Sequence, residues 1–575
     1  MAKKKKKESE ESSKTGKSEE VQEVSSQEKL PGKTDLYIAS GLFLIALLLR
    51  LRFLNAGLFY TDSVIAAQAA EATYNNWTLH YMHGVGYPGQ VVMIVFFYAL
   101  FKIIAGASTA EFATLFVSFF FASLTVGLIY LLVKKMGGST FAAVSVALVL
   151  NTLPVYLSTS TFGMSHQPAC FFIVLSFYLA MLASEFNDLR LKILASASLG
   201  WASAIRLESL MMFPLVLLFY WKNNPPTSLT TKEGYLKFRL TQNRDELLKD
   251  AAYLLAPMLL ILLIPYYPLL SKYGFSTLVG AFEYNRWLGF WVQDLTETVI
   301  GWVGLSMTTL GWIMLFFGLV SLFFRKSKYI FLLVFVWCAY FLVLANTLTV
   351  EDRHTIPALI GFTIAIGFGL DWLYRNIHPI VGVAVLLILV GWMFLNVQPI
   401  LEYRSGFCGP KSFAVTLRDT VEQNSVVIVM DEAPHLQYYG GLAVIGHPLD
   451  GNMVEINKSM AEINGYLNNG TAVYLVSSAF VYDTGAGLSY DQTSGTLYNA
   501  NTKRIYDSIA FNRNAMSITD KSTGVSVGLY GIWQVELFSN FMVLPVKTVE
   551  NEDWHKGNVE SRKYGETIFK ILGKA

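Results

Sequence analysis

Leu58-Phe59-Tyr60-Thr61-Asp62-Ser63 opens the stretch that decides the fold of this chain, and Tyr81-Met82-His83-Gly84-Val85-Gly86-Tyr87-Pro88-Gly89 closes it. Between the two lies an alanine-rich run, and strongly apolar segments flank the whole. Asp62 therefore falls beside the outer end of a first membrane span, where an acid is costly unless it has a partner or a function. Thr61-Asp62-Ser63 reads as a helix start. Helical spacing puts Asp62 on one face with Ala66, Ala69, Ala70 and Thr73, and Glu71 on the opposite face. The expectation is a flat surface of small residues with room for a substrate. The competing reading is that Asp62 only caps its helix.

Working outward, the chain has 575 residues, 53% hydrophobic and 15% charged, with mean hydropathy +0.42. A soluble chain would carry about 25% charged residues, so the composition fits a polytopic membrane protein. Its net charge of +2 is uninformative because the charges are segregated. A span needs about 20 apolar residues. Such runs fall near 36–54, 111–133, 139–158, 168–184, 250–270, 299–323, 329–349, 355–373 and 378–397. Lys134, Lys135, Arg190, Lys192, the basic loop 222–249, the run 325–328 and Arg375 all face the cytoplasm under one condition. Residues 87–107 must dip back to the side they came from, and 191–221 must form two short helices turning near Arg206. This gives about eleven spans, a cytoplasmic N-terminus and an extracytoplasmic C-terminal region.

Residues 1–35 read as a disordered tail of basic and acidic residues with no cleavable signal. Residues 36–399 form the multi-span unit. From about residue 400 the composition becomes that of a soluble domain, with strands near 425–430, 442–445 and 471–476 and helices near 432–439 and 453–467. Residues 525–529 and 533–537 add further strand candidates. Strands alternating with helices predict an α/β layer, and no glycine-rich phosphate loop follows its first strand. The sequons at Asn76, Asn457 and Asn469 fall on the outer side in this topology. Cys170, Cys338 and Cys408 are too dispersed for a disulfide framework or a zinc site and read as small buried hydrophobes.

Several other groups are able to do chemistry. His166 lies in the second outer loop, and His80 and His83 have the spacing of one helical face. Asp62, His83 and His166 show no metal-ligand pattern in sequence. Arg206 and Glu208 flank a turn in apolar sequence, which suits either a mutual ion pair or phosphate binding. Arg353 and His354 sit between two apolar runs, and arginine offers a planar fork to phosphate oxygens. Glu283, Arg286 and the nearby aromatics suit sugars and membrane interfaces equally.

The order of these elements resembles the polyprenyl-phosphate-sugar-dependent glycosyltransferases of the GT-C fold. These include protein O-mannosyltransferases, aminoarabinose transferases and oligosaccharyltransferase catalytic subunits. The matching pieces are the first loop with Asp62, Tyr87-Pro88-Gly89, Lys134 to Gly138, His166-Gln167, Arg206-Leu207-Glu208 and Asp352-Arg353-His354 through Pro357. An outer soluble domain after the last span also matches. The resemblance implies that Asp62 activates an acceptor and that Arg353, assisted by Arg206, holds the lipid phosphate; His354, His166, His83, Tyr87, Glu208 and Arg286 are further candidates for substrate binding. It implies a lipid-linked sugar donor, a protein, lipid or glycan acceptor and no nucleic acid. Ser63 stands where many relatives have a second acid, and His166-Gln167 where oligosaccharyltransferases have a metal-binding carboxylate. No Trp-Trp-Asp run occurs in the C-terminal region. These departures favour single-sugar transfer without a divalent metal. The alternatives are a transporter or lipid flippase, whose charges would gather near the midplane, and an inactive relative acting as a binding subunit.

Overall fold

The computed structural model describes residues 31–82, 86–106, 109–221, 227–232, 235–240, 244–274, 304–324, 328–347, 352–429, 433–446, 453–476, 488–491, 496–499, 504–512, 515–520, 526–529, 540–555 and 560–573. The expected tail lies almost wholly outside the described residues, as do His83, Arg286 and 533–537.

The first helices are α1 (Lys33–Arg52), α2 (Thr61–Asn76), α3 (Pro88–Ala105) and α4 (Ala110–Lys135). Next come α5 (Thr140–Thr152), the short α6 (Pro154–Thr159), α7 (His166–Phe186), α8 (Leu189–Ile205) and, after a 3-10 turn at Leu207–Met212, α9 (Phe213–Tyr220). A hairpin of β1 (Thr227–Lys232) and β2 (Tyr235–Leu240) precedes α10 (Arg244–Tyr273), α11 (Gly304–Phe323) and α12 (Lys328–Thr347). A 3-10 turn at Asp352–Thr355 leads into α13 (Ile356–Asn376), and α14 (Pro379–Gly406) closes the bundle. Among the described residues seven helices are long and apolar enough to cross a membrane, and four shorter apolar helices accompany them.

Local chemistry sets the boundaries. Thr109 caps α4 by accepting from Phe112 N at 3.2 Å, and Ser139 caps α5 by accepting from Ala142 N at 2.9 Å. Pro154 excludes helical geometry at Leu153, which divides α5 from α6. Residues 191–221 divide at Arg206, as the sequence predicts; its backbone is extended (φ −145°, ψ 114°). In α13, 89% of the spanning window is buried, against 17% in α10, so α13 is central and α10 peripheral. Glycine lets α11 approach α13: a Cβ on Gly318 would lie 1.8 Å from the Ala365 carbonyl oxygen.

The compositional boundary near 400 falls inside α14, which continues past Pro399 to Gly406. Beyond it come α15 (Gly409–Thr420), β3 (Val426–Val429), the helical segment Ala433–Gly440, β4 (Ala443–Gly446), α16 (Met453–Asn468) and β5 (Val473–Val476). β3 pairs in parallel with β4 and β5 and is buried throughout, as a strand covered on both faces must be. Two long strands not foreseen from sequence, β11 (Phe541–His555) and β12 (Glu560–Gly573), complete the order β11-β12-β5-β3-β4. The strand expected at 525–529 belongs elsewhere. With β6 (Leu488–Asp491), β7 (Thr496–Asn499), β8 (Arg504–Asn512) and β9 (Ala515–Asp520), β10 (Ser526–Leu529) forms a separate antiparallel sheet.

Candidate active site

α2 begins at Thr61, so Asp62 is its second residue and Tyr60, not Asp62, occupies the capping position. Tyr60 makes no side-chain cap; its carbonyl accepts from Ser63 N and Val64 N at 3.0 and 3.1 Å. The expected open alanine surface is corrected. Ala66, Ala69 and Ala70 are buried against Val91, Ile94, Tyr98 and Ala113 of α3 and α4. Periodicity told which residues share a face but not what covers it. At the N-terminal end of α2, Asp62 is half-buried. His80 follows the end of α2 in non-helical backbone and lies 3.3 Å from the Asn76 amide.

The second loop packs directly on this end. Gly163 (φ +84°) admits no side chain: a Cβ there would lie 2.9 Å from Thr114 and 3.1 Å from Leu58. Ser63 Oγ donates to Met164 Sδ at 3.4 Å. The loop then delivers Ser165 and His166 to the start of α7.

Arg206 meets them from the break after α8. Its Nη1 donates to Ser165 Oγ at 2.9 Å and lies 3.5 Å from His166 Nδ1, while its Nε donates to Glu208. The ion pair and a position facing other polar groups thus coexist. The guanidinium also lies 5.5 Å from the ring centroid of Tyr87. Tyr87 has φ +39° and ends the first loop. Gly89 lets that loop close on Arg206, since a Cβ there would lie 2.7 Å from the Ala204 backbone. Burial pushes the Tyr87 phenol up, Arg206 opposes this, and the charges of Glu208, Asp62 and Arg353 are also felt. Tyr87 is therefore within electrostatic range of the acid and of both arginines.

The 3-10 turn at Asp352–Thr355 supplies the remaining groups. Arg353 is buried, with its guanidinium 3.9 Å from the centroid of the Tyr60 ring, and the His354 ring lies 5.2 Å from that of His166. A small cleft opens among His166, Arg206, Glu208, Ser209 and His354, over Met212 and Ile173. His166 is 2% exposed, and its Nε2 has no hydrogen-bond partner among the described residues. A buried polar atom left in that state calls for a ligand group. No group of three or more His, Cys, Asp or Glu among the described residues is arranged to hold a metal.

The structure thus gathers Arg206, Glu208, His166, His354, Tyr87 and Arg353, with Asp62 within electrostatic range of Tyr87. Sequence reading missed Ser165, which orients Arg206, and Tyr60, which carries Arg353. The aromatic residue beside Asp62 was the available signal for the second.

A family model described as dolichyl-phosphate-mannose-protein mannosyltransferase matches residues 89–241. Among solved structures, ArnT from Cupriavidus metallidurans bound to undecaprenyl phosphate aligns with TM-score 0.55 at 13% identity, over 78% of this chain and 93% of that one. Its apo form aligns with TM-score 0.53 at 13% identity, over 77% and 92%. The mycobacterial arabinofuranosyltransferase AftD aligns with TM-score 0.51 at 12% identity, over 95% of this chain and 40% of that one. Curated protein sequences give no significant match. The chain has the GT-C fold, an integral membrane architecture of apolar helices with a C-terminal sheet region. In that fold, and over residues 89–241 in sequence, it is similar to glycosyltransferases of the GT-C type.

Proposed function

We propose that this enzyme moves one sugar from a polyprenyl-phosphate-linked donor to an acceptor hydroxyl on the extracytoplasmic side. The observation that carries this reading is the meeting of Arg206, His166 and His354 at one cleft, with Arg353 and Asp62 both within electrostatic range of Tyr87 beside it. Undecaprenyl phosphate bound to a protein of the same fold supports it. Asp62 takes the proton of the acceptor hydroxyl as its oxygen attacks the anomeric carbon. The bond from that carbon to the phosphate oxygen breaks, the configuration inverts, and the lipid phosphate leaves with both electrons. Arg353, with Arg206 and the histidines, stabilises the charge on that phosphate. Residues 36–399 form the transferase unit and 400–575 an extracytoplasmic unit, with the N-terminus cytoplasmic. No divalent metal takes part in the proposed reaction.

The test incubates the full-length protein in lipid nanodiscs with labelled polyprenyl-phosphate sugars and identifies which acceptor gains label. Asp62→Asn should reduce transfer by about 10²-fold or more while the donor still binds. Full activity in that variant removes the proposed role of Asp62, and vesicle counterflow without sugar transfer would favour a carrier instead.

A further inference from the structure

We infer that the segment Ala433–Gly440 of the C-terminal region is a strap that sets the position of Asp62, with Tyr439 as its principal positioning residue. This rests on the proposed role of Asp62 and extends it to a part of the chain more than three hundred residues away.

The first observation is a direct bond. Leu58 N donates to Tyr439 Oη at 2.8 Å, four residues before Asp62. Leu58 is fully buried and Phe59 nearly so, so this amide has no water to turn to if the phenol is lost. The second is that the strap reaches beyond the loop: Gln68 Nε2, in the second turn of α2, donates to the Pro434 carbonyl at 3.3 Å. The third is packing. His435 is 3% exposed, lies beside the backbone of Leu58 and Phe59, and stacks on Tyr439 with ring planes 24° apart.

What gives this contact a role is the start of α2. Its capping residue, Tyr60, adds no side-chain bond to the backbone bonds its carbonyl accepts from Ser63 and Val64, so contacts from outside the helix also bear on the direction of the first turn. Tyr439 holds Leu58, and Arg353 lies 3.9 Å from the Tyr60 ring centroid. The chain Tyr439, Leu58, Tyr60, Arg353 therefore couples the strap to both the acid and a proposed phosphate ligand. A displacement of about an ångström at a reacting group is enough to lose much of the rate.

The same strap supplies an internal control. Tyr438 Oη accepts from Glu111 N at 3.0 Å, at the start of α4 and not on the stretch from Leu58 to Asp62. Lys411, which pairs with Glu111 at 3.0 Å and donates to the Ala56 carbonyl at 3.4 Å, reinforces that second attachment and is left intact by Tyr438→Phe. Tyr438→Phe weakens docking of the strap, whereas Tyr439→Phe releases the chain before Asp62.

The experiment uses full-length protein in nanodiscs. Amide hydrogen exchange is followed in the peptide covering 56–70, and kcat and donor KM are measured with the labelled donor that supports transfer. Tyr439→Phe is expected to speed exchange in 56–70 and lower kcat, each by about tenfold, the scale of one lost hydrogen bond, with donor KM within twofold. Tyr438→Phe is expected to leave kcat within about twofold. Unchanged exchange in Tyr439→Phe, faster exchange with unchanged kcat, or an equal loss of kcat in Tyr438→Phe would each overturn the proposal. Failure of the underlying reading is seen separately, as full activity in Asp62→Asn, since the exchange measurement does not depend on turnover.

Discussion

The two ends of helices α7 and α8 carry buried charge in opposite styles. At one end every ion pair is acid against base: Lys135 with Glu185, Lys192 with Asp250 at 3.4 Å, Lys134 with Asp35 at 3.8 Å, and Arg375 with Asp371 at 3.0 Å. Hydroxyls also donate to two of these carboxylates, Tyr130 to Asp35 at 2.7 Å and Tyr220 to Asp250 at 3.2 Å. At the other end Arg206 divides its guanidinium among Glu208, Ser165 and His166, and Arg353 lies over a tyrosine ring. A cation matched to its own carboxylate is spent on structure. Arg206 too has a carboxylate partner, Glu208, but it divides its remaining donors between Ser165 and His166 beside a cleft, where the proposed phosphate would meet it. The same residue types thus serve matched pairs at one end of the bundle and a mixed polar cluster at the other.

The strongest test of that contrast is Arg353→Ala. Donor use should fall by up to about 10²-fold, corresponding to roughly 3 kcal/mol for a lost charged hydrogen bond, measured as donor kcat/KM. An effect confined to acceptor KM would break the assignment. Lys135→Met should do the reverse. It leaves the Glu185 carboxylate, 13% exposed, without its base, and is expected to cost about 2–3 kcal/mol of stability. Thermal unfolding should register this while donor kcat/KM of the folded fraction stays within twofold. If Lys135→Met weakened donor use as Arg353→Ala does, the division between the two ends would fail.

How much of this was legible beforehand differs between the same two regions. The helices follow from apolar runs of spanning length, and the break at Arg206 from two charges standing in apolar sequence. The histidines and arginines were recognisable one at a time because each interrupts an apolar context. Their meeting was not, since Tyr60 and Arg353, or Ser165 and Arg206, approach only through the packing of four separate elements. The alanine face of α2 was misjudged for the same reason: small residues fit an open surface and a tight helix contact equally well. The strap was wholly hidden, because Tyr438 and Tyr439 look like ordinary residues of a soluble layer until Leu58 and Glu111 are seen against them.

His435 adds a pH dependence that sharpens the role of the strap. Burial lowers its pKa to about 4, from an ordinary value near 6.5. The undocked ring takes up a proton below about pH 6.5, whereas the docked ring resists until about 4. Docking is therefore at full strength above about pH 6.5 and weakens as pH falls, by about 2 kcal/mol at pH 5 at the most. Protection of the amides in 56–70, taken relative to their intrinsic exchange rate at each pH, should fall over that window, and His435→Asn should flatten the dependence. A fall of the same size in His435→Asn would assign the effect to another group.

The smallest expected effect bounds the comparison from below. Arg375 pairs with Asp371 one helical turn away, but its side chain is 54% exposed while that of Asp371 is 2% exposed. Water screens the arginine, and Ser139 Oγ also donates to the same carboxylate, so Asp371 keeps a partner when Arg375 is removed. Arg375→Ala should cost no more than about 0.5 kcal/mol and leave transfer unchanged. Ser139→Ala removes both the buried donor to Asp371 and the cap of α5, and should cost more, about 1–2 kcal/mol. If Arg375→Ala proved the costlier of the two by thermal unfolding, the exposed pair would be the stronger one. The rule that separates the two ends, burial together with the number of partners, would then be wrong.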